Sequence, residues 1–165
     1  MSFDPNDFMT QTVDAPMETE FKLCPEGEFR AMIDDFDATA IENIEFEYKR
    51  GPNAGLPGEM RKFNCPFVID DDKARQELNR DKVIVTKQMI LDVVKDTGAL
   101  DFGTNKNVEL GRVRAAVNQN APGPWSIGQL RGAGPCMVQV KHVSYKRNDG
   151  TQGKRAEITR VARIS

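Results

Sequence analysis

The stretch that decides the fold is 136-CMVQVKHVSYKRNDGTQGKRAEITRVARI-164. Residues 136–146 alternate, with Cys136, Val138 and Val140 on one side, the period of a half-buried strand. Asn148-Asp149-Gly150-Thr151-Gln152-Gly153 follows, the chemistry of a turn. Residues 155–164 alternate again, with Ala156 and Ile158 on the inner side. Two such runs around a short polar turn predict a β-hairpin.

Working back from the hairpin, residues 107–118 carry Val108, Leu110, Val113 and Val117 at helical spacing, with Asn107 as the expected cap. Ala121-Pro122-Gly123-Pro124 ends that helix, and Ser126 is placed to cap a further helical turn through Leu130. Residues 82–94 are rich in Val, Ile and Thr and read as a strand. Asp70-Asp71-Asp72 opens a short helix through Leu78. Three acids there suit the positive end of a helix dipole, a simpler account than a cation site. Residues 59–69 read as a strand in which Pro66 demands a bulge or an edge. Residues 44–49 and 28–37 alternate as strands, with a Gly/Pro loop at 50–58. Residues 1–24 have no clear period and read as an acidic arm ahead of a domain at 25–165.

Strand, strand, strand, helix, then a hairpin is the order of an OB-fold, a five-stranded partly open barrel. The expected class is therefore mainly β (α+β), with the helix between strands three and four; a generic α+β domain fits the same order.

With 165 residues, 39% hydrophobic and 29% charged, the chain is long enough to bury a core of its own. No apolar run reaches the roughly 20 residues of a membrane helix, and the acidic N-terminus lacks the apolar centre of a signal peptide. A soluble protein that stays in the cytoplasm where it is made is the expectation. Cys24, Cys65 and Cys136 are odd in number and far apart, and His142 is the single histidine. This argues for reduced thiols and against a zinc site or any other cofactor. There is no phosphate-binding GxxxxGK[ST] run and no nucleophile–base pair with a telling spacing, so no enzyme is expected.

Charge is uneven. Residues 1–45 hold twelve acids and two bases, a balance of −10; residues 136–165 hold seven bases and two acids, a balance of +5. Such ends point either to a polyanionic partner or to each other. In an OB barrel the binding surface lies on strands two and three and two loops, here within 38–58 and 147–153. Tyr48, Lys49 and Arg50, then Arg61, Lys62 and Phe63, stand at the first; Lys141, Tyr145, Lys146, Arg147, Lys154 and Arg155 flank the second. Cations that follow phosphates and flat rings that stack on bases are what a single strand requires. His142 is a further ring in reach. Basic residues also flank ordinary exposed turns, and aromatic strand residues commonly belong to the core.

The segments MSFDPNDFM, CPEGEFRAMI, VIDDDKARQELNRDKVIVTKQMILDV, GALDFGTNKNVELGRVRAAVNQN and AEITRVA, within residues 1–162, resemble small bacteriophage single-stranded-DNA-binding or DNA-binding-like proteins of the replication and recombination region. The resemblance implies an OB-like fold and sequence-tolerant DNA handling. The partners it implies are single-stranded DNA, further copies of the chain, and phage or host replication proteins. It carries over no site residues. The chain departs from the acidic C-terminal tail common in such proteins: it ends Arg160-Val-Ala-Arg163-Ile-Ser165, so an acidic segment that competes for the DNA surface or recruits partners would be the N-terminal arm. The competing expectation is a virion structural protein, such as a capsid cement or decoration protein, in which arm and charged ends join subunits.

Overall fold

A computed structural model describes residues 2–165. A short helix α1 (Pro5–Met9) lies in the arm; then come β1 (Gly27–Ile33), β2 (Ile41–Glu47), β3 (Pro57–Ile69), α2 (Asp72–Leu78), β4 (Val83–Leu91), α3 (Val108–Ala116), β5 (Cys136–Lys146) and β6 (Gln152–Ala162). The fold is mainly β, a single six-stranded antiparallel sheet. The five-strand expectation is corrected to six because residues 41–47 and 57–63 form a ladder of their own, from Ile41↔Phe63 to Glu47↔Pro57.

The long strand β3 organises the sheet. One of its edges pairs with β4 throughout, from Arg61↔Leu91 to Ile69↔Val83. The other pairs first with β2, ending at Phe63↔Ile41, and then with β1, starting at Phe67↔Ile33. Pro66 stands in the gap between them. Its carbonyl accepts the Asp34 N–H at 2.9 Å, and its missing N–H faces the same gap, so the β4 ladder loses nothing. Beyond β1 the sheet continues through β5 to β6 and curls, bringing the free edges of β4 and β6 opposite one another with no ladder between them. The sheet does not close at this seam, and α3 packs over it against both strands.

The core follows from alternation. Phe63, Cys65, Phe67 and Ile69 of β3 point inward, with Ala31 and Ile33 of β1, Val83, Val85, Met89 and Leu91 of β4, Cys136, Val138 and Val140 of β5, and Ile158 of β6. Leu110, Val113 and Ala116 of α3 close one end. The triple aspartate acts as a cap: the Asp71 carboxylate accepts the Ala74 N–H at 2.9 Å, and Arg75 bridges Asp70 and Asp72 at 3.3 and 2.6 Å. Asn107 differs from its expected role. It adopts a left-handed conformation (φ 50°), and its side chain accepts the Asp92 N–H and donates to the carbonyls of Asp92 and Asp101. It ties the end of β4 to the start of α3 and caps no helical N–H. Val108, expected in the apolar stripe, is exposed. Ser126 does begin a turn of 3₁₀ helix, Ile127–Leu130, with its N–H donating to the Gln129 side chain at 2.8 Å.

No helix among the described residues is long and apolar enough to cross a membrane.

Candidate nucleic-acid interface

Two hairpins carry the residues of interest. At the end of β5, Tyr145 pairs with Gly153 of β6. The ring lies over the bare glycine so closely that a Cβ there would sit 2.6 Å from the ring Cζ. Only glycine leaves room for an aromatic ring at this depth. The ring remains 38% exposed. Two guanidinium groups stand by it, Arg155 at 5.6 Å and Arg147 at 6.0 Å from its centroid, within cation–π range. Lys146 and Lys154 are exposed on the opposite face of the same hairpin, and Lys141 is exposed further along β5. The turn is held by Asp149, which accepts from the Thr151 hydroxyl at 2.6 Å and its N–H at 2.9 Å. These bonds hold its carboxyl below the ordinary aspartate range.

The β2–β3 hairpin repeats the device. Phe46 pairs with Gly58, and a Cβ on Gly58 would meet Phe46 Cζ and Tyr48 Cε2 at 2.7 Å. The two rings meet edge to face, 4.9 Å between centroids, and each is over a third exposed. Lys49 and Arg50 are exposed at the tip. Phe46, read from the sequence only as part of the alternating strand 44–49, was not among the stacking rings expected. Its signal was alternation: Ile44, Phe46 and Tyr48 share one face of a strand, opposite a glycine.

Several expected residues belong elsewhere. Phe63 is fully buried, 5.2 Å from the Phe36 ring, and can stack on nothing outside the core. Its parity with Cys65, Phe67 and Ile69 sends it inward. Arg61 shares that inward parity and lies against the loop at Gly98, with Glu59 4.0 Å away, while Lys62 faces outward and pairs with Glu42 at 3.3 Å. Adjacent in sequence, Arg61 and Lys62 therefore serve opposite faces of the sheet. The His142 ring Nε2 lies 2.7 Å from the Cys24 carbonyl and the His142 backbone N–H donates to the Glu26 carboxylate, so the residue fastens β5 to the turn before β1.

The two hairpins do not converge on one end of the sheet. Ile33 at the end of β1 pairs with Phe67, so residues 57–66 of β3 run on beyond that end; Gly27 at its start pairs with Val140, so residues 141–146 of β5 run on beyond the other. The basic and aromatic residues thus form two clusters.

The acidic arm reaches the second cluster. Glu20 lies 3.6 Å from Arg147, and Phe21 lies under Arg80 at 5.6 Å. Glu20, Phe21 and Leu23 form one wall of a cleft whose other wall holds Tyr145, Arg147 and Lys154.

The thiols are placed for packing. Burial pushes Cys65 up to about 12, and Cys24 and Cys136 up to about 11, so all three are protonated near neutrality. Among the described residues no three His, Cys, Asp or Glu side chains cluster as metal ligands would.

No family model, no curated protein and no solved structure matches the chain.

Proposed function

We propose that this chain is a non-catalytic, sequence-tolerant single-stranded-DNA-binding protein of the bacteriophage replication and recombination type, built on an OB-like barrel. The pairings β1–β3–β4 and β1–β5–β6, with α3 between β4 and β5, follow OB order. In this reading β2 is an addition hairpinned onto β3, and the seam between β4 and β6 is where the barrel stays open.

The observation that carries the reading is Tyr145 laid on Gly153 between Arg147 and Arg155. A half-exposed ring, held at fixed height by a glycine and flanked by two guanidinium groups, supplies a stacking face for a base and charge for the phosphates on either side. Phe46 and Tyr48 over Gly58, with Lys49 and Arg50, repeat the arrangement at the other hairpin. Because the two clusters leave opposite ends of β1, a strand engages them as two separate sites, with the β5–β6 hairpin, richer in cations, as the primary one.

The test is fluorescence anisotropy with a labelled oligothymidine. Tyr145→Ala is expected to weaken binding by about 1–3 kcal/mol, the worth of one stacked base. Binding unchanged by this substitution removes the platform from the account.

A second reading is favoured by one feature. Phe3, Phe8, Met9, Val13, Met17 and Phe21 of the arm are each more than 60% exposed. An arm that leaves its apolar side chains off its own domain suits docking on a neighbouring subunit, as in a virion cement or decoration protein. Mass spectrometry of purified particles separates the readings: a stoichiometric presence supports the structural role.

A further inference from the structure

Lys87 occupies an inward position of β4, between Val85 and Met89, where alternation calls for an apolar residue. Its side chain is 11% exposed. The ammonium reaches into the open seam, where it lies 3.1 Å from Glu109 of α3 and 3.4 Å from the Ile158 carbonyl of β6. A charge in the core row of a strand costs desolvation unless it is paired, and here the pairing lets it form the floor of a pocket. That pocket, 270 Å³, is lined by Lys87, Glu109, Arg112, Val113, Thr159, Arg160 and Val161. Three cations face one carboxylate.

Arg112 and Arg160 differ from their neighbours. Arg114 donates to the Gln119 carbonyl at 2.9 Å and Arg163 to the Ala115 carbonyl at 3.0 Å. Arg112 and Arg160 make no hydrogen bond or ion pair to protein among the described residues, and both are exposed. Two unengaged guanidinium groups from different elements, over a nearly buried ammonium, make a concave surface for a tetrahedral oxyanion. The pocket continues along the seam: Lys87, Glu109 and Thr159 also line the larger cleft of 760 Å³ that reaches Arg155 beside the Tyr145 ring. From Arg155 to Arg160 along β6 is about 16 Å at roughly 3.3 Å per residue, a few nucleotides of extended single strand.

We propose that Lys87, Arg112 and Arg160 form a phosphate subsite in the seam between α3, β4 and β6, which takes a backbone phosphate of a strand anchored at Tyr145. The oxyanion site stands on this geometry; its assignment to a nucleic-acid backbone rests on the function proposed above.

The experiment has two arms, both with the full chain and with R112Q/R160Q, whose substitutions lie at exposed positions and are checked by thermal melting. In the first, sodium tripolyphosphate is titrated at low ionic strength into ¹⁵N-labelled protein. Saturable shifts at the amides of Arg112, Val113, Arg160 and Val161 that vanish in R112Q/R160Q are expected. Their absence in the unsubstituted chain, or their persistence in the variant, overturns the subsite. In the second, oligothymidine binding is followed against salt. Losing the one phosphate contact lowers the slope of log K against log salt by about 0.7, the worth of one neutralised phosphate in a single strand. An unchanged slope overturns the subsite while leaving DNA binding intact. A tripolyphosphate response without any oligonucleotide binding leaves the oxyanion site standing and removes its assignment to DNA.

Discussion

At Gly153 and Gly58 the missing side chain sets the height of an aromatic ring. Gly153→Val puts a Cβ 2.6 Å from the present position of Tyr145 Cζ. Because the ring is at the end of an exposed side chain it can swing aside, so the fold survives while the platform does not. The expected result is an oligonucleotide affinity reduced as far as in Tyr145→Ala, with the far-ultraviolet circular dichroism unchanged; full affinity in Gly153→Val separates binding from the ring's placement. At the same scale, Lys82 donates to Asp34 at 2.8 Å and holds that carboxyl below its ordinary value. A carboxyl lowered on folding stabilises above the unfolded value, about 3.9, and this contribution is lost as the pH falls through the folded value. Lys82→Met is expected to lower stability slightly at neutral pH, by less than about 1 kcal/mol because the pair is exposed to solvent, and to leave stability unchanged once Asp34 is protonated, so the acid limb of the denaturation profile flattens by that same small amount.

Among the elements, β3 bears most of the fold. It is laddered to three strands and sends Phe63, Cys65, Phe67 and Ile69 into the core. Phe67→Ala is expected to cost about 3–5 kcal/mol in urea unfolding, whereas Phe46→Ala on the exposed hairpin costs far less. The alternation of β3 was fully legible in the sequence. Polar Lys62 and Asn64 interleave with apolar Phe63 and Cys65, and that pattern alone assigns Phe63 to the interior; weighing Phe63 with its basic neighbours rather than with its own face put it in the interface. The β5–β6 hairpin was legible for the same reason, carrying its period over many residues; α3 was legible more from Leu110 and Val113 and the Pro/Gly break after it than from a full stripe, since Val108 is exposed. The ladder of β2 on β3 was harder to see, since residues 41–47 are acidic and mostly exposed, and what holds them is the register to residues 57–63. The pocket of Lys87, Arg112 and Arg160 had one local signal, Lys87 breaking the apolar row of β4; the rest was not legible, because its members come from three elements that only the curl of the sheet brings together.

Across the whole molecule, three buried thiols make the fold sensitive to alkali. Unfolded cysteine ionises near 8.5, while Cys24 and Cys136 are pushed up to about 11 and Cys65 to about 12. A thiol raised on folding contributes stability that is whole below the unfolded value and declines as the pH rises toward the folded one. Stability is therefore expected to decline from about pH 8.5 upward, and the native chain to resist a thiol reagent that labels all three cysteines in urea. The arm joins the two ends of the charge distribution: Glu20 lies 3.6 Å from Arg147 of the β5–β6 hairpin, while Arg160 of the seam pocket lies further along β6, beside Arg112 of α3.

The central claim is that the Tyr145–Gly153 platform and its arginines hold a single strand, and anisotropy of labelled oligothymidine against a duplex of equal length, at 50 and 200 mM salt, tests it most directly. The account predicts preference for the single strand and an affinity that falls steeply with salt. No binding at 50 mM, equal binding to duplex, or an affinity indifferent to salt contradicts it.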